Sequence, residues 1–226
     1  MAAAQCAPLP DRLDDVTAAA IANPGMSSWA ALKERAKLKP GETVLVNGAT
    51  GSAGRLAVQI AKHFGAKRVI ATGRNVETLQ ALGADATIAL SEDEAALEDR
   101  FRAQFAEGID VVVDYLWGGS AERLLIAAAK GLKEGAALRF VQVGSISGPN
   151  ITLPGAVLRS SAITLMGSGL GSVPRDRLTA DIGELLQVAA TRGFTVPVRA
   201  APLSAVERAW GESDSAARTV FTVGRG

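Results

Sequence analysis

An α/β fold with a doubly wound parallel sheet is what this chain predicts, and three observations predict it. Short apolar runs of strand character alternate with helix-period runs from Thr43 to Val143. The first run, Thr43 to Asn47, leads straight into Gly48, Gly51 and Gly54 and then into a long helical pattern. The run Ile109–Val113 is almost wholly apolar, the pattern of a strand covered on both faces.

Each element follows in order. Asp14 to Leu38 reads as two helices divided at the turn signal Asn23-Pro24-Gly25, with Pro40-Gly41 closing the second. Strand 43–47 is followed by a helix from about Ser52 to Phe64, whose Leu56, Ala57, Ile60, Ala61 and Phe64 share one face. Then come strand 67–72, helix 75–82, a short strand near Ala86–Leu90, helix 93–106, strand 109–114, helix 119–131 and strand 136–143. The acidic run Glu92–Glu107 reads as a solvated helix face. Beyond Val143, clusters of Gly, Ser and Pro make loops of Gly144–Gly155 and Gly167–Pro174. Between them Ser161–Met166 reads as a last strand. Arg175–Arg192 follows as a long helix, and Thr195–Ala201 and Thr219–Val223 are short strands around one more helix.

Composition narrows the function classes. A chain of 226 residues holds one sizeable core with appendages rather than two full domains. The formal net charge of +1 and the lack of any long Lys/Arg run leave no electrostatic footprint for nucleic acid. Met1–Pro10 has neither a basic nor an apolar signal region, and no stretch is apolar for long enough to span a bilayer. No membrane partner is therefore expected, and the default location is cytoplasmic. Cys6 is the sole cysteine and His63 the sole histidine, which rules out an internal disulfide and leaves no metal site to assemble.

The chemistry sits where the strands end. In a doubly wound sheet, ligands bind beyond the carboxyl ends of the strands, at the point where the winding reverses. Thr50–Gly54, Gly73-Arg74-Asn75, Tyr115-Leu116-Trp117-Gly118 and Gly144-Ser145 should then share one edge. Glycines at such a turn let the backbone approach a pyrophosphate, and a helix starting there aims free N–H groups and its positive dipole end at the charge. An NAD-type site wants Asp or Glu about 20 residues after the glycine motif, whereas Arg there suits a 2′-phosphate. Arg74 stands at that position, with no carboxylate from Ala71 to Val76, which predicts NADPH.

Other chemistries fail on particular residues. Gly54 leads into Arg55-Leu56 rather than Lys-Ser/Thr, so the turn is not a triphosphate P-loop. His63 falls near the end of the helix after the clamp, away from the ligand edge, where it suits the helix dipole rather than a Ser-His-Asp triad. Tyr115, the sole tyrosine, and Trp117 serve either as lid or stacking residues or as packing under the next helix; the sequence leaves both readings open.

The stretch Ala49-Thr50-Gly51-Ser52-Ala53-Gly54, with Ala61 through Ala66, Ala71-Thr72-Gly73-Arg74-Asn75 and Leu82-Gly83-Ala84-Asp85, resembles the medium-chain dehydrogenase/reductase superfamily. Its nearest branch is the zinc-independent quinone or enoyl reductases that use NADPH. Asn23 to Leu32 and Arg218 to Val223 resemble two further segments of that family. Short-chain reductases share the glycine turn, but there the first strand opens the chain and a Tyr-x-x-x-Lys pair is present. Here Gly119 stands four positions after Tyr115.

The resemblance implies a Rossmann-type doubly wound sheet over 39–194, a helical lead-in over 1–38 that is a remnant of a catalytic-domain connection, and a return segment over 195–226. It places Ser27 near the nicotinamide and the backbone of Ser52, Ala53 and Gly54 at the pyrophosphate. Gly73, Arg74 and Asn75 fall around the 2′-phosphate, and Val143, Gly144 and Ser145 at the nicotinamide ribose. It also implies a homodimer paired through Ser161–Met166, and most of an N-terminal GroES-like catalytic domain is expected to be lacking. The activity implied is hydride transfer from NADPH to a quinone or α,β-unsaturated carbonyl without zinc, and no residue stands out as proton donor. The alternative is an NADPH-binding module, or a truncated reductase fragment, without catalysis of its own.

Overall fold

Valine and isoleucine dominate the strands of a parallel sheet whose order is β3-β2-β1-β4-β5-β6 in the computed structural model. The strands are β1 (Thr43–Asn47), β2 (Arg68–Gly73), β3 (Ala86–Ala89), β4 (Val111–Asp114), β5 (Ala137–Gln142) and β6 (Ala162–Gly167). The structure describes residues 6–91, 93–212 and 217–224. Met1 to Gln5 of the lead-in, and Glu92 at the head of the acidic run, lie outside the described residues.

Register decides which side chains face which way. Val44 pairs with both Val69 and Val111, and Leu45 with both Ile70 and Val112, so one row points to each face of the sheet. Val44, Val46, Val69, Val111 and Val141 pack under helices α1 (Asp15–Ala30), α2 (Ser52–His63) and α7 (Arg175–Arg192). Leu45, Ile70, Val112, Leu138 and Phe140 meet α4 (Glu94–Glu107) and α5 (Gly118–Gly131) on the other side. Leu97, Phe101 and Phe105 are the buried stripe of α4, so its acidic residues face water as the sequence predicts. Short α3 (Val76–Ala81) joins β2 to β3.

One expectation is corrected. Asn23-Pro24-Gly25 does not divide the lead-in: α1 runs unbroken through Pro24 and continues as a wider π-type turn over Ala31–Arg35. An interior proline costs about 3 kcal/mol of helix propensity, and tertiary packing overrides it here. Ala20, Ile21, Pro24, Gly25, Ser28 and Trp29 are all buried, and a Cβ on Gly25 would stand 2.5 Å from Leu185 Cδ2 of α7. The glycine thus marks close helix contact rather than a turn.

A short helix, α6 (Gly155–Arg159), precedes β6 and has no counterpart in the sequence reading, since five residues carry too little periodicity. At the carboxyl end β7 (Val198–Pro202) and β8 (Arg218–Thr222) form a separate parallel pair. They flank a 3-10 turn and α8 (Val206–Trp210), the arrangement the sequence predicts. Among the described residues no helix is long and apolar enough to cross a membrane.

Candidate dinucleotide groove at the sheet switch point

Winding reverses between β1 and β4, and the crevice at that point is a cavity of about 720 Å³. Thr50, Gly51, Ser52, Ala53 and Gly54 line it from β1 and α2, and Gly73, Arg74 and Asn75 from β2. Tyr115 and Leu116 contribute from β4, and Gly144 and Ser145 from β5. The structure therefore brings the four strand exits together. Ser27 and Val143 stand outside the lining. Ser27 Oγ donates to Pro24 O at 2.8 Å, and Val143 packs on the core and donates its N–H to Asp114 O, also at 2.8 Å.

Each glycine of the turn has its own task. Gly48 holds φ at 87°, the left-handed region that favours glycine, with the Leu116 side chain against its open face. Gly54 lies so close to β1 that a Cβ would stand 2.3 Å from Gly48 O. Gly51 differs from both: its nearest neighbour for a Cβ is Gly48 O at 4.0 Å, so its main chain faces open space. α2 begins right after it with neither a side-chain cap nor an acid in its first turn, leaving its N–H groups directed at the groove.

Beneath the groove lies a polar floor that the sequence reading missed. Asn47, Thr72 and Asp114, at the ends of β1, β2 and β4, are completely buried. Thr72 Oγ1 donates to Asn47 Oδ1 at 2.6 Å, and Asn47 Nδ2 donates to Asp114 Oδ1 at 2.7 Å. Asp114 also accepts from the N–H groups of Leu116 and Trp117. Burial pushes its carboxyl above the ordinary range, an effect opposed by the bonds from Asn47, Leu116 and Trp117. A lone carboxylate closing the apolar run Val111–Val113 was the available signal, since a buried acid demands partners.

The lining carries arginines and no carboxylate, histidine or cysteine. Arg55 Nε donates to Thr50 O at 3.1 Å, and Arg123 is paired with Glu94. Arg74 is exposed at the mouth, with no hydrogen bond or ion pair to any described residue. Leu90 and Leu97 add an apolar end wall, also missed from sequence because they come from the β3 exit and from α4.

Two further residues are placed by packing. Tyr115 OH lies 2.7 Å from Ser28 Oγ, which also donates toward Ala53 O at 2.9 Å, so Ser28 of α1 ties the β4 exit to the first turn of α2. Burial pushes the Tyr115 phenol far above its ordinary value, keeping it neutral. His63 ends α2 at the far side of the molecule from the groove, stacked on Trp29 with ring centroids 5.7 Å apart.

Strand order together with a glycine-lined crevice at the switch point defines a Rossmann-type fold. The chain belongs to the medium-chain dehydrogenase/reductase superfamily, for the family model described as zinc-binding dehydrogenase matches residues 53–191. A probable NADPH-dependent quinone reductase of Emericella nidulans is 32% identical over 94% of this chain, which spans 63% of that relative's length. A polyketide synthase of Streptomyces halstedii is 38% identical over 63% of the chain, a match confined to 2% of the synthase. A mycobacterial quinone oxidoreductase structure superposes with a TM-score of 0.76 at 26% identity, over 91% of this chain and 63% of that one.

The family description names zinc. Among the described residues no group of three His, Cys, Asp or Glu side chains could hold a metal ion.

Proposed function

We propose that the groove binds NADPH and that the chain takes part in zinc-independent hydride transfer to a quinone or α,β-unsaturated carbonyl. The single observation that carries this reading is the pairing of an open Gly51 main chain, beside the uncapped α2, with an unpartnered Arg74 at the β2 exit. Pyrophosphate suits the former and a 2′-phosphate the latter. The quinone reductases among the relatives support the same direction.

Bound NADPH supplies the hydride. Reduction of a quinone then takes up that hydride and one proton from water to give the hydroquinone. With an enone, hydride adds at the β-carbon and a proton at the α-carbon. Asn75 and Arg74 hold the adenosine end, while Ser52, Ala53 and Gly54 fix the pyrophosphate through main-chain N–H groups. Gly144 and Ser145 face the nicotinamide half, with Val143 and Ser27 behind it.

Tryptophan and NADPH fluorescence titrations, run beside NADPH oxidation with quinones and enones, test the reading. Saturable NADPH binding with turnover supports it; binding without turnover favours a cofactor-holding module, and no binding overturns it. We also propose that β6, whose outer edge has no strand partner among the described residues, pairs with a second copy. A monomer by light scattering would exclude that pairing. A cytoplasmic setting fits the single cysteine.

A further inference from the structure

Beside the groove lies a second cavity of about 370 Å³, lined by Trp117, Gln142, Ser145, Pro149, Leu165 and Met166 among others. Ser145 lines both cavities, so the two adjoin at the β5 exit. The segment after β4 separates them. Leu116 lines the groove, whereas Trp117 lines the smaller cavity.

That split depends on an unusual backbone. Trp117 has φ 57° and ψ −155°, outside the regions that residues with a Cβ ordinarily adopt. Such strain persists only where the surroundings hold it, and it gathers at functional sites. Asp114 supplies the hold by accepting the Trp117 N–H at 3.1 Å and the Leu116 N–H at 3.0 Å. Gly118 follows at φ 55°, where a Cβ would stand 2.8 Å from Ser147 O. The result is a half-buried indole, packed on the core beside α4 and α5, at the wall of a shallow recess of mixed polarity that Gln142, Pro149 and the exposed Ser145 also line.

We propose that this recess is the acceptor subsite, that it takes a planar aromatic ring, and that Trp117 is its stacking platform. The placement rests on the NADPH reading: with the adenosine end at Arg74 and the pyrophosphate at Gly51, the nicotinamide half runs toward Gly144 and Ser145, and the next space is this recess. An indole face favours a flat ring over an open-chain enone, since aromatic pairs gain stacking beyond the area that they bury. The Ser145 hydroxyl makes no hydrogen bond with any described residue and is available to a ring carbonyl.

The test is a titration of the full chain, saturated with NADP⁺, with menadione, read by tryptophan fluorescence and by calorimetry, in wild type, Trp117→Phe, Trp117→Leu and Gly167→Leu. Gly167 lines the recess and a Cβ there meets no atom within 4 Å, so leucine at this position adds bulk at the recess wall without a clash at its Cβ. Menadione binding is expected to survive in W117F and to weaken about tenfold in W117L and G167L, with the NADPH dissociation constant unchanged in all four. Unchanged menadione affinity in G167L and in a folded W117L would overturn the proposal. So would NADPH affinity that falls in step with menadione affinity, because the recess would then hold the nicotinamide. Failure of NADPH to bind the wild type counts against the cofactor reading instead, and the menadione titration without cofactor still reports on the recess.

Discussion

Asn47 Nδ2 donates to Asp114 Oδ1 at 2.7 Å across completely buried ends of adjacent strands, and this one contact joins the glycine turn to the Trp117 turn. Asn47 precedes Gly48, and Asp114 accepts the N–H groups of Leu116 and Trp117, so both walls of the groove hang on it.

Removing the carboxylate should therefore cost the fold as well as the site. Asp114→Ala leaves Asn47 and main-chain donors unsatisfied and is expected to lower unfolding free energy by about 3 kcal/mol in urea titrations. Asp114→Asn keeps an acceptor and should cost less. Burial raises the Asp114 pKa, so the native state keeps its proton longer than the unfolded chain. Its contribution is complete below the unfolded aspartate value and is lost as pH rises through the folded one, and Asp114→Asn should flatten that slope.

Arg74→Ala tests the cofactor preference directly. Loss of a charge-assisted contact worth roughly 1.5–3 kcal/mol should raise the NADPH dissociation constant by about ten- to hundredfold. The NADH constant should stay within about twofold. An unchanged ratio would remove Arg74 as discriminator.

Two glycines of one turn should respond in opposite ways. Gly54→Ala drives a methyl to 2.3 Å from Gly48 O and 2.6 Å from Ala49 Cα, both main-chain atoms, so a loss of about 3 kcal/mol or an insoluble product is expected. Gly51→Ala has room and should melt like the wild type, yet weaken NADPH binding because its methyl enters the space left for the ligand.

Lys33, in the π-type turn after α1, and Asp181 of α7 meet at 3.0 Å, with Asp181 almost fully buried and its Oδ2 without a partner among the described residues. Truncating the lysine strands a buried carboxylate. Lys33→Met is expected to cost about 2–3 kcal/mol by thermal unfolding, and the double variant Lys33→Met, Asp181→Leu should recover much of it.

His63 is the only histidine, so its imidazole proton signal in NMR is unambiguous. Burial, and then the Arg192 charge, lower its pKa from 6.5. The fold thus favours the neutral ring, and stability should rise with pH through the lowered value and level off above the ordinary one. A measured pKa above 6.5 would contradict the packing against Trp29.

Local pattern was enough to read most of this architecture. Ile109–Val113 announces a strand covered on both sides, and Leu56, Ala57, Ile60 and Ala61 announce the buried stripe of a helix, because each period is written in neighbouring residues. The Thr50–Gly54, Gly73–Asn75 and Gly144–Ser145 exits were legible too, since strand ends in a parallel sheet must share one edge. Asn23-Pro24-Gly25 misled because its local break signal is outweighed by contacts with α2 and α7 that no window contains.

By itself, then, the amino-acid order determined the alternation of strands and helices, the glycine turn, and the arginine at the second strand end. Only the tertiary structure decided that Asn47, Thr72 and Asp114 form one polar floor, that Ser28 ties Tyr115 to the first turn of α2, and that Trp117 lines a recess apart from the groove that Leu116 lines. Periodicity is a local property carried along the chain. Satisfying a buried polar group is a global one, because its partners come from residues such as Asn47 and Asp114 that lie 67 positions apart.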